Sequence, residues 1–227
     1  MVQELRNVNR GTNVDTVFEY LYGEIASMRL LPGTKISEKE IAGLFDFSRQ
    51  PVREAFSRLG NLDLLLIRPQ KATVVKRFSS TAIKTARFVR AAVEAKVLVQ
   101  AARLCEQASV DLLNACIAEQ RVAVGSDDYE QFRTLDYEFH KTLCTVGKVD
   151  FAFDVIAHEK AKVDRLCVLG LARNERLDQL LDDHMNIVKC VSVSDEAGAV
   201  DAGMLHLSRL DSTISAIREE HADYFDD

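Results

Sequence analysis

The sequence predicts a mostly α-helical protein in two parts: a small N-terminal group of helices closed by a β-hairpin, then an all-α antiparallel helical bundle. Three observations carry this. All three prolines (Pro32, Pro51, Pro69) lie in the first third of the 227 residues, so no proline interrupts a helix after Pro69. Apolar residues recur at spacings of three and four, the period of an amphipathic helix. The β-prone runs are two, and both fall between residues 64 and 75.

The elements follow in order. Val14, Val17, Phe18, Leu21, Ile25 and Met28 mark the inner face of a first helix, which Leu31-Pro32-Gly33 ends. Ser37 stands three residues before Glu40 and ahead of Ile41 and Leu44, a capping-box arrangement for a short second helix. After a turn at Asp46-Phe47, Ser48 is placed to cap a third helix. Pro51 sits in its first turn, where a missing N–H costs little. Val52, Ala55, Phe56 and Leu59 form the inward face of that helix. Leu64-Leu65-Leu66-Ile67 and Ala72-Thr73-Val74-Val75, joined by Arg68-Pro69-Gln70-Lys71, read as a hairpin. Three helices and a hairpin make the winged helix-turn-helix plan. The expected domains are therefore 1–78, a winged helix-turn-helix, and 79–227, an all-helical domain. Helices are expected in the latter near 80–104, 109–123, 128–146, 150–169, 174–193 and 196–220, with breaks at Gly125-Ser126-Asp127, Gly147-Lys148 and Ser194-Asp195.

Composition narrows the function. With 47% apolar and 28% charged residues the chain is neither disordered nor fibrous. No run approaches the roughly 18 apolar residues of a membrane span, and the polar N-terminus has no apolar signal segment. A cytoplasmic protein is expected. Five dispersed cysteines without a C-x-x-C pair support neither a disulfide framework nor a zinc knuckle, and read as small buried residues on helices. The net charge of −6 hides an asymmetry. Residues 1–79 carry 12 basic against 9 acidic groups, and residues 80–227 carry 17 against 26. Within 49–77 the ratio is 7 to 2, which points that segment towards a polyanion.

Ser48-Arg49-Gln50-Pro51-Val52-Arg53 opens the third helix with DNA-reading chemistry. Arg49 and Arg53 are one turn apart and share a face. Arginine pairs bidentately with guanine, and Gln50 can do so with adenine. Lys39, at the start of the second helix, is placed for backbone phosphate, and Lys71, at the hairpin tip, for the minor groove or phosphate. A solvated basic face is the other reading of these residues. The stretch from Ile36 to Phe78 resembles the winged helix-turn-helix of GntR-family bacterial transcription regulators, with the motif S-R-x-P-V-R-E-A and its following leucine at Ser48 to Leu59. The resemblance covers about residues 14–77. Two departures stand out. Asp63 replaces the family's turn glycine and tolerates the left-handed conformation; Gln70-Lys71-Ala72 replaces the glycine-bearing wing tip.

In the helical half, Asp136 and His140 stand four residues apart on one helix, so they share a face. His184 and His206 follow on later helices. Three imidazoles and one carboxylate suit Zn²⁺, Ni²⁺ or Mn²⁺, with a position left for water or ligand. A satisfied core histidine is the competing reading of each. The resemblance to the FadR-like subgroup, whose helical effector domain is called FCD, implies that Asp136, His140, His184 and His206 surround one divalent metal. It also implies that Arg90, in the similar segment FVRAAVEAKVLVQAA, meets a carboxylate effector. The alternative for Arg90 is a surface pair with Glu94 at i, i+4. Arg165 is a weaker pocket candidate, His158 a surface or inter-helix residue, and His221 part of a frayed C-terminus. The implied protein is a ligand-responsive, homodimeric regulator that binds operator DNA, a metal ion and a small organic acid. The competing class is a metal-dependent enzyme on the helical domain, against which stands the lack of a nucleophile motif such as G-x-S-x-G.

Overall fold

The computed structural model describes residues 11–170 and 175–226. The chain divides into two units: one holds the segments through Ile83 and from Ile217, and the other spans Lys84–Ala216.

In the first unit, α1 (Asn13–Ala26), β1 (Lys35–Ile36), α2 (Glu38–Phe45), α3 (Arg49–Asn61), β2 (Leu65–Leu66) and β3 (Thr73–Val75) follow in sequence. Thr12 caps α1 in a full capping box with Asp15. Ser37 caps α2 by accepting from the Glu40 N–H at 3.1 Å, as its spacing predicts. Ser48 takes the N-cap position of α3 but makes no side-chain capping bond, contrary to expectation. Val52, Ala55, Phe56 and Leu59 are buried against Val17, Leu21, Ile25 and Phe45. Burying a side chain such as Phe56 contributes about 2–3 kcal/mol.

The hairpin belongs to a three-stranded sheet, in which β3 is central and β2 is an edge strand. The strand order is β1-β3-β2, all antiparallel, with Lys35 opposite Val74 and Leu65 opposite Val75. A two-residue strand carries too little periodicity to be read from sequence. Asp63 adopts the left-handed conformation at φ 62°, so the turn survives the loss of glycine. Its carboxylate pairs with Lys76. Gln70 is also left-handed, at φ 58°, in the wing tip.

The C-terminus is not frayed. Phe225 is buried and its ring lies 5.4 Å from that of Phe78. The Phe78 N–H donates to the Tyr224 carbonyl at 2.8 Å, and the Asp226 N–H donates to the Phe78 carbonyl at 2.9 Å. His221 starts a short 3-10 turn (Ala222–Tyr224) and stacks on Tyr224 at 4.7 Å.

In the second unit, α4 (Ser80–Leu104) enters from the first. It is followed by α5 (Gln107–Gly125), α6 (Tyr129–Val146), α7 (Phe151–Gly170), α8 (Glu175–Ser192), α9 (Glu196–Ser208) and α10 (Leu210–Glu220), which passes into the first unit at Ile217. The long last helix of the sequence reading is thus two, separated at Arg209. Asp128 and Asp195 cap α6 and α9 through their side chains. The core gathers Leu98, Leu113, Ile117, Phe132, Phe139, Leu143, Ile156 and Ile187. Among the described residues no helix is long and apolar enough to cross a membrane.

Candidate metal centre and nucleic-acid surface

The helical unit brings Asp136, His140, His184 and His206 together from α6, α8 and α9, all buried, with ligand atoms within 4.8 Å of one another. Asp136 and His140 converge because they are one turn apart on α6. Phe139 stacks on His184 at 4.2 Å between centroids, and closes the apolar side of the cluster.

Partners behind the rings decide which nitrogen faces inward. Gln120 Nε2 donates to the Leu135 carbonyl at 3.2 Å, which fixes the amide so that its Oε1 accepts. His184 Nδ1 lies 2.8 Å from that oxygen and therefore donates. His140 Nδ1 lies 3.0 Å from Glu94 Oε2 and donates to it. With Nδ1 committed to these acceptors, the two rings turn Nε2 toward Asp136 Oδ1, 3.4 Å from His184 and 3.9 Å from His140. These two Nε2 atoms and His206 Nδ1 are buried without hydrogen-bond partners. Leaving such atoms unmatched costs about 1–3 kcal/mol each. Three imidazoles and one carboxylate whose ligand atoms gather within 4.8 Å fit a divalent cation.

The electrostatics agree with ligand-ready protonation. Burial above all pushes the His184 imidazole down to about 3, against the pull of Asp136. Burial likewise drives His206 well below the usual histidine value, helped by its two histidine neighbours. For Asp136 burial works the other way, but Lys160 and the histidines outweigh it and hold the carboxyl well below the carboxylate range. Lys160 Nζ lies 3.0 Å from Asp136 Oδ2 and 2.8 Å from Asp164 Oδ1. Burial disfavours its charge, yet those two carboxylates raise it well above the lysine value.

A cavity of about 180 Å³ opens beside the cluster, with Asp136 and His206 in its wall. Arg90 lines it too. Its Nε donates to Glu94 Oε1 at 2.7 Å, so the i, i+4 pair exists, but it is buried rather than on the surface. Arg165 is buried without being among the cavity's lining residues; Lys160 and Asp164 take that place on α7. His158 is exposed. Lys160, Glu94, Gln120 and Asp183 carry the surroundings of the cluster and were not legible as such. A faint signal exists for two of them. Gln120 falls in the apolar stripe Leu113-Ile117-Gln120-Val124, and Lys160 in the stripe Ile156-Lys160-Val163.

In the first unit, Ser48, Arg49, Gln50 and Arg53 are all exposed at the start of α3, and Lys39 and Lys71 are exposed on α2 and the wing. Arg53 grips Glu38 through both Nε (3.2 Å) and Nη2 (3.1 Å), and Gln50 Nε2 donates to Glu54 at 2.8 Å. Exposed pairs of this kind are worth at most about 1 kcal/mol, so a polyanion displaces them readily. Arg58, by contrast, is tied to Asp15 at 2.7 Å and lies over the Phe18 ring at 4.1 Å.

A winged helix-turn-helix and a helical domain with a cavity beside a buried histidine cluster are the plan of a transcription regulator with an effector domain. Residues 13–75 match the gntR family of bacterial regulatory proteins and residues 86–209 match the FCD domain, and the chain belongs to this family. It is 31% identical over 92% of both chains to the HTH-type transcriptional repressor RspR of Escherichia coli K12. Its fold is similar to that of E. coli McbR/YncC, with TM-score 0.72 at 15% identity over 93% of this chain and 99% of that one. A GntR transcriptional regulator from Rhodococcus sp. RHA1 gives 0.71 at 18% identity over 89% and 98%. Families and relatives alike are regulators, not enzymes.

Proposed function

We propose that the chain is a homodimeric, metal-dependent sensor of a small organic acid that controls its own affinity for operator DNA. DNA binding is assigned to residues 1–78 and effector binding to 79–227. Asp136, His140, His184 and His206 would hold one Zn²⁺, Ni²⁺ or Mn²⁺ ion, leaving a coordination position toward the cavity. The observation that carries this is the gathering of three buried imidazoles and one buried carboxylate with their ligand atoms within 4.8 Å of one another.

A metal of charge +2 against the single carboxylate of Asp136 and neutral imidazoles leaves excess positive charge, to which Arg90 adds. An organic acid neutralises it, with one oxygen at the metal and another pole at Arg90. One reading helix covers a half-site, so a two-fold homodimer supplies the second on a palindromic operator. Ser48, Arg49, Gln50 and Arg53 would meet bases and phosphates in the major groove, while Lys39 and Lys71 grip the backbone. Effector binding would alter the placement of the two reading helices and so operator affinity.

The test is thermal-shift screening of metal-loaded protein with organic acids against uncharged analogues, with Arg90→Ala in parallel. Stabilisation by acids that is lost in Arg90→Ala is expected. Stabilisation by neutral compounds alone, or an acid response intact in Arg90→Ala, overturns the effector assignment.

A further inference from the structure

Asp136 divides its two carboxylate oxygens between different neighbours. Oδ1 faces the imidazoles, 3.4 Å from His184 Nε2 and 3.9 Å from His140 Nε2. Oδ2 faces α7 instead, where the Lys160 ammonium lies 3.0 Å away. Lys160 and Asp136 are each only 7% exposed, so water and salt screen the pair little.

The ammonium is held from its other side as well. Its Nζ donates to Asp164 Oδ1 at 2.8 Å and sits 4.1 Å over the Tyr137 ring. Tyr137 in turn donates its hydroxyl proton to Asp164 Oδ2 at 2.5 Å, which fixes that carboxylate. Turning Lys160 away from Asp136 would leave a buried carboxylate oxygen without its donor, a costly arrangement.

A carboxylate ligates a metal through one oxygen or chelates it through both. We infer that Lys160 is a positioning residue of the metal centre: it holds Oδ2 of Asp136, so that the carboxylate offers an ion Oδ1 alone. This rests on the metal-centre reading above. A chelating Asp136 would take up a further coordination position; a single oxygen leaves that position to water or a ligand. The positive charge beside the same carboxylate also repels a dication, so the centre holds its metal less tightly than its four ligands would without it. In the absence of an ion, the same ammonium keeps the buried carboxylate paired.

The first test is a crystal structure of the full-length protein loaded with whichever of Zn²⁺, Ni²⁺ and Mn²⁺ it binds most tightly. The ion is expected on Asp136 Oδ1, with Lys160 Nζ still within hydrogen-bonding distance of Oδ2. An ion chelated by both oxygens, or an Nζ turned away from Oδ2, overturns the inference whatever any variant does. The second test compares Lys160→Met with wild type, by competition titration of that ion against a chromophoric chelator and by the visible absorption of the Co²⁺-loaded proteins. The variant should bind the ion about tenfold or more tighter, because a repelling charge has gone. Its Co²⁺ bands should weaken, as they do when a second carboxylate oxygen raises the coordination number. A lysine that served only the packing of α7 would do the opposite, since its loss would loosen the bundle and weaken metal binding. Unchanged or weaker binding by folded Lys160→Met therefore overturns the inference, as does an unchanged Co²⁺ spectrum. A wild type that binds none of the three ions at the cluster overturns the metal-centre reading instead, and the role of Lys160 falls with it.

Discussion

Glu94 accepts the Nδ1 proton of His140 at 3.0 Å, and that one bond turns the Nε2 lone pair of the ring toward Asp136. Arg90 holds the other Glu94 oxygen at 2.7 Å. A cavity-lining arginine and a candidate metal ligand therefore share a single buried carboxylate. Burial alone would raise the Glu94 carboxyl, but Arg90 and His140 outweigh it and keep the carboxylate ionised.

The first prediction concerns that arrangement. His184→Ala should abolish metal retention after dialysis and, with it, the thermal stabilisation that added metal gives the wild type. Glu94→Leu should bind metal more weakly by about 10–100-fold, because the ring loses the acceptor that sets its tautomer. Elemental analysis alongside thermal midpoints with and without Zn²⁺ checks both. Equal metal content in wild type and His184→Ala would refute the centre.

Acid sensitivity of the metal-free protein gives a second. The unfolded chain protonates its histidines near 6.5, while folded His184 stays neutral down to about 3. Between those values the unfolded state binds more protons, so stability falls as pH drops. The loss reaches about 1.4 kcal/mol per pH unit for each such histidine. Above about 6.5 the effect vanishes, because both states are neutral. Asp136 and Glu94, whose folded carboxyls are held low, add a further loss only below about 4. Thermal midpoints of stripped protein at pH 7.5, 6.0 and 5.0 should decline, and His184→Leu should flatten that decline.

On the DNA side, Arg53→Ala should cost about 1–3 kcal/mol of operator affinity and relax base preference at one position. Lys39→Ala should weaken binding uniformly and reduce the salt slope by about one unit. Glu38→Ala should leave affinity unchanged or raise it, since it releases the Arg53 fork from its pair. Gel-shift titrations over a salt series distinguish the three. Unaltered affinity and preference in Arg53→Ala would remove it from the interface.

The C-terminal segment supplies the last. Phe225→Ala empties a buried site against Phe78 and should cost about 3 kcal/mol, read as a lower thermal midpoint. Metal content should stay at the wild-type level, since no residue of the cluster lies in that segment. An unchanged midpoint would show that the tail contributes no packing energy.

Much of the site was legible because its parts are local. The pair Asp136 and His140 needs only the helical period to share a face, and Ser48 to Leu59 holds its reading and packing residues within one helix. Arg90 and Glu94 were visible as an i, i+4 pair for the same reason, but the sequence left open whether that pair faces solvent or a cavity. The short strand β1, the break at Arg209 and the packing of Phe225 on Phe78 were not legible. The strand and the tail depend on partners distant along the chain: Val74 for Lys35, and Phe78 for a tail that sequence alone reads as frayed.

The sequence by itself determined the two-part helical plan, the reading helix, and the types and order of the four candidate ligands, since periodicity, capping residues and motif spacing act over a few neighbouring positions. Only the tertiary structure decided that Gln120 and Glu94 orient the imidazoles, that Lys160 ties Asp136 to Asp164, and that Arg90 is buried beside them. Those relations join helices whose spacing along the chain carries no trace of their contact. Their energies come from burial, which makes each charge demand a partner.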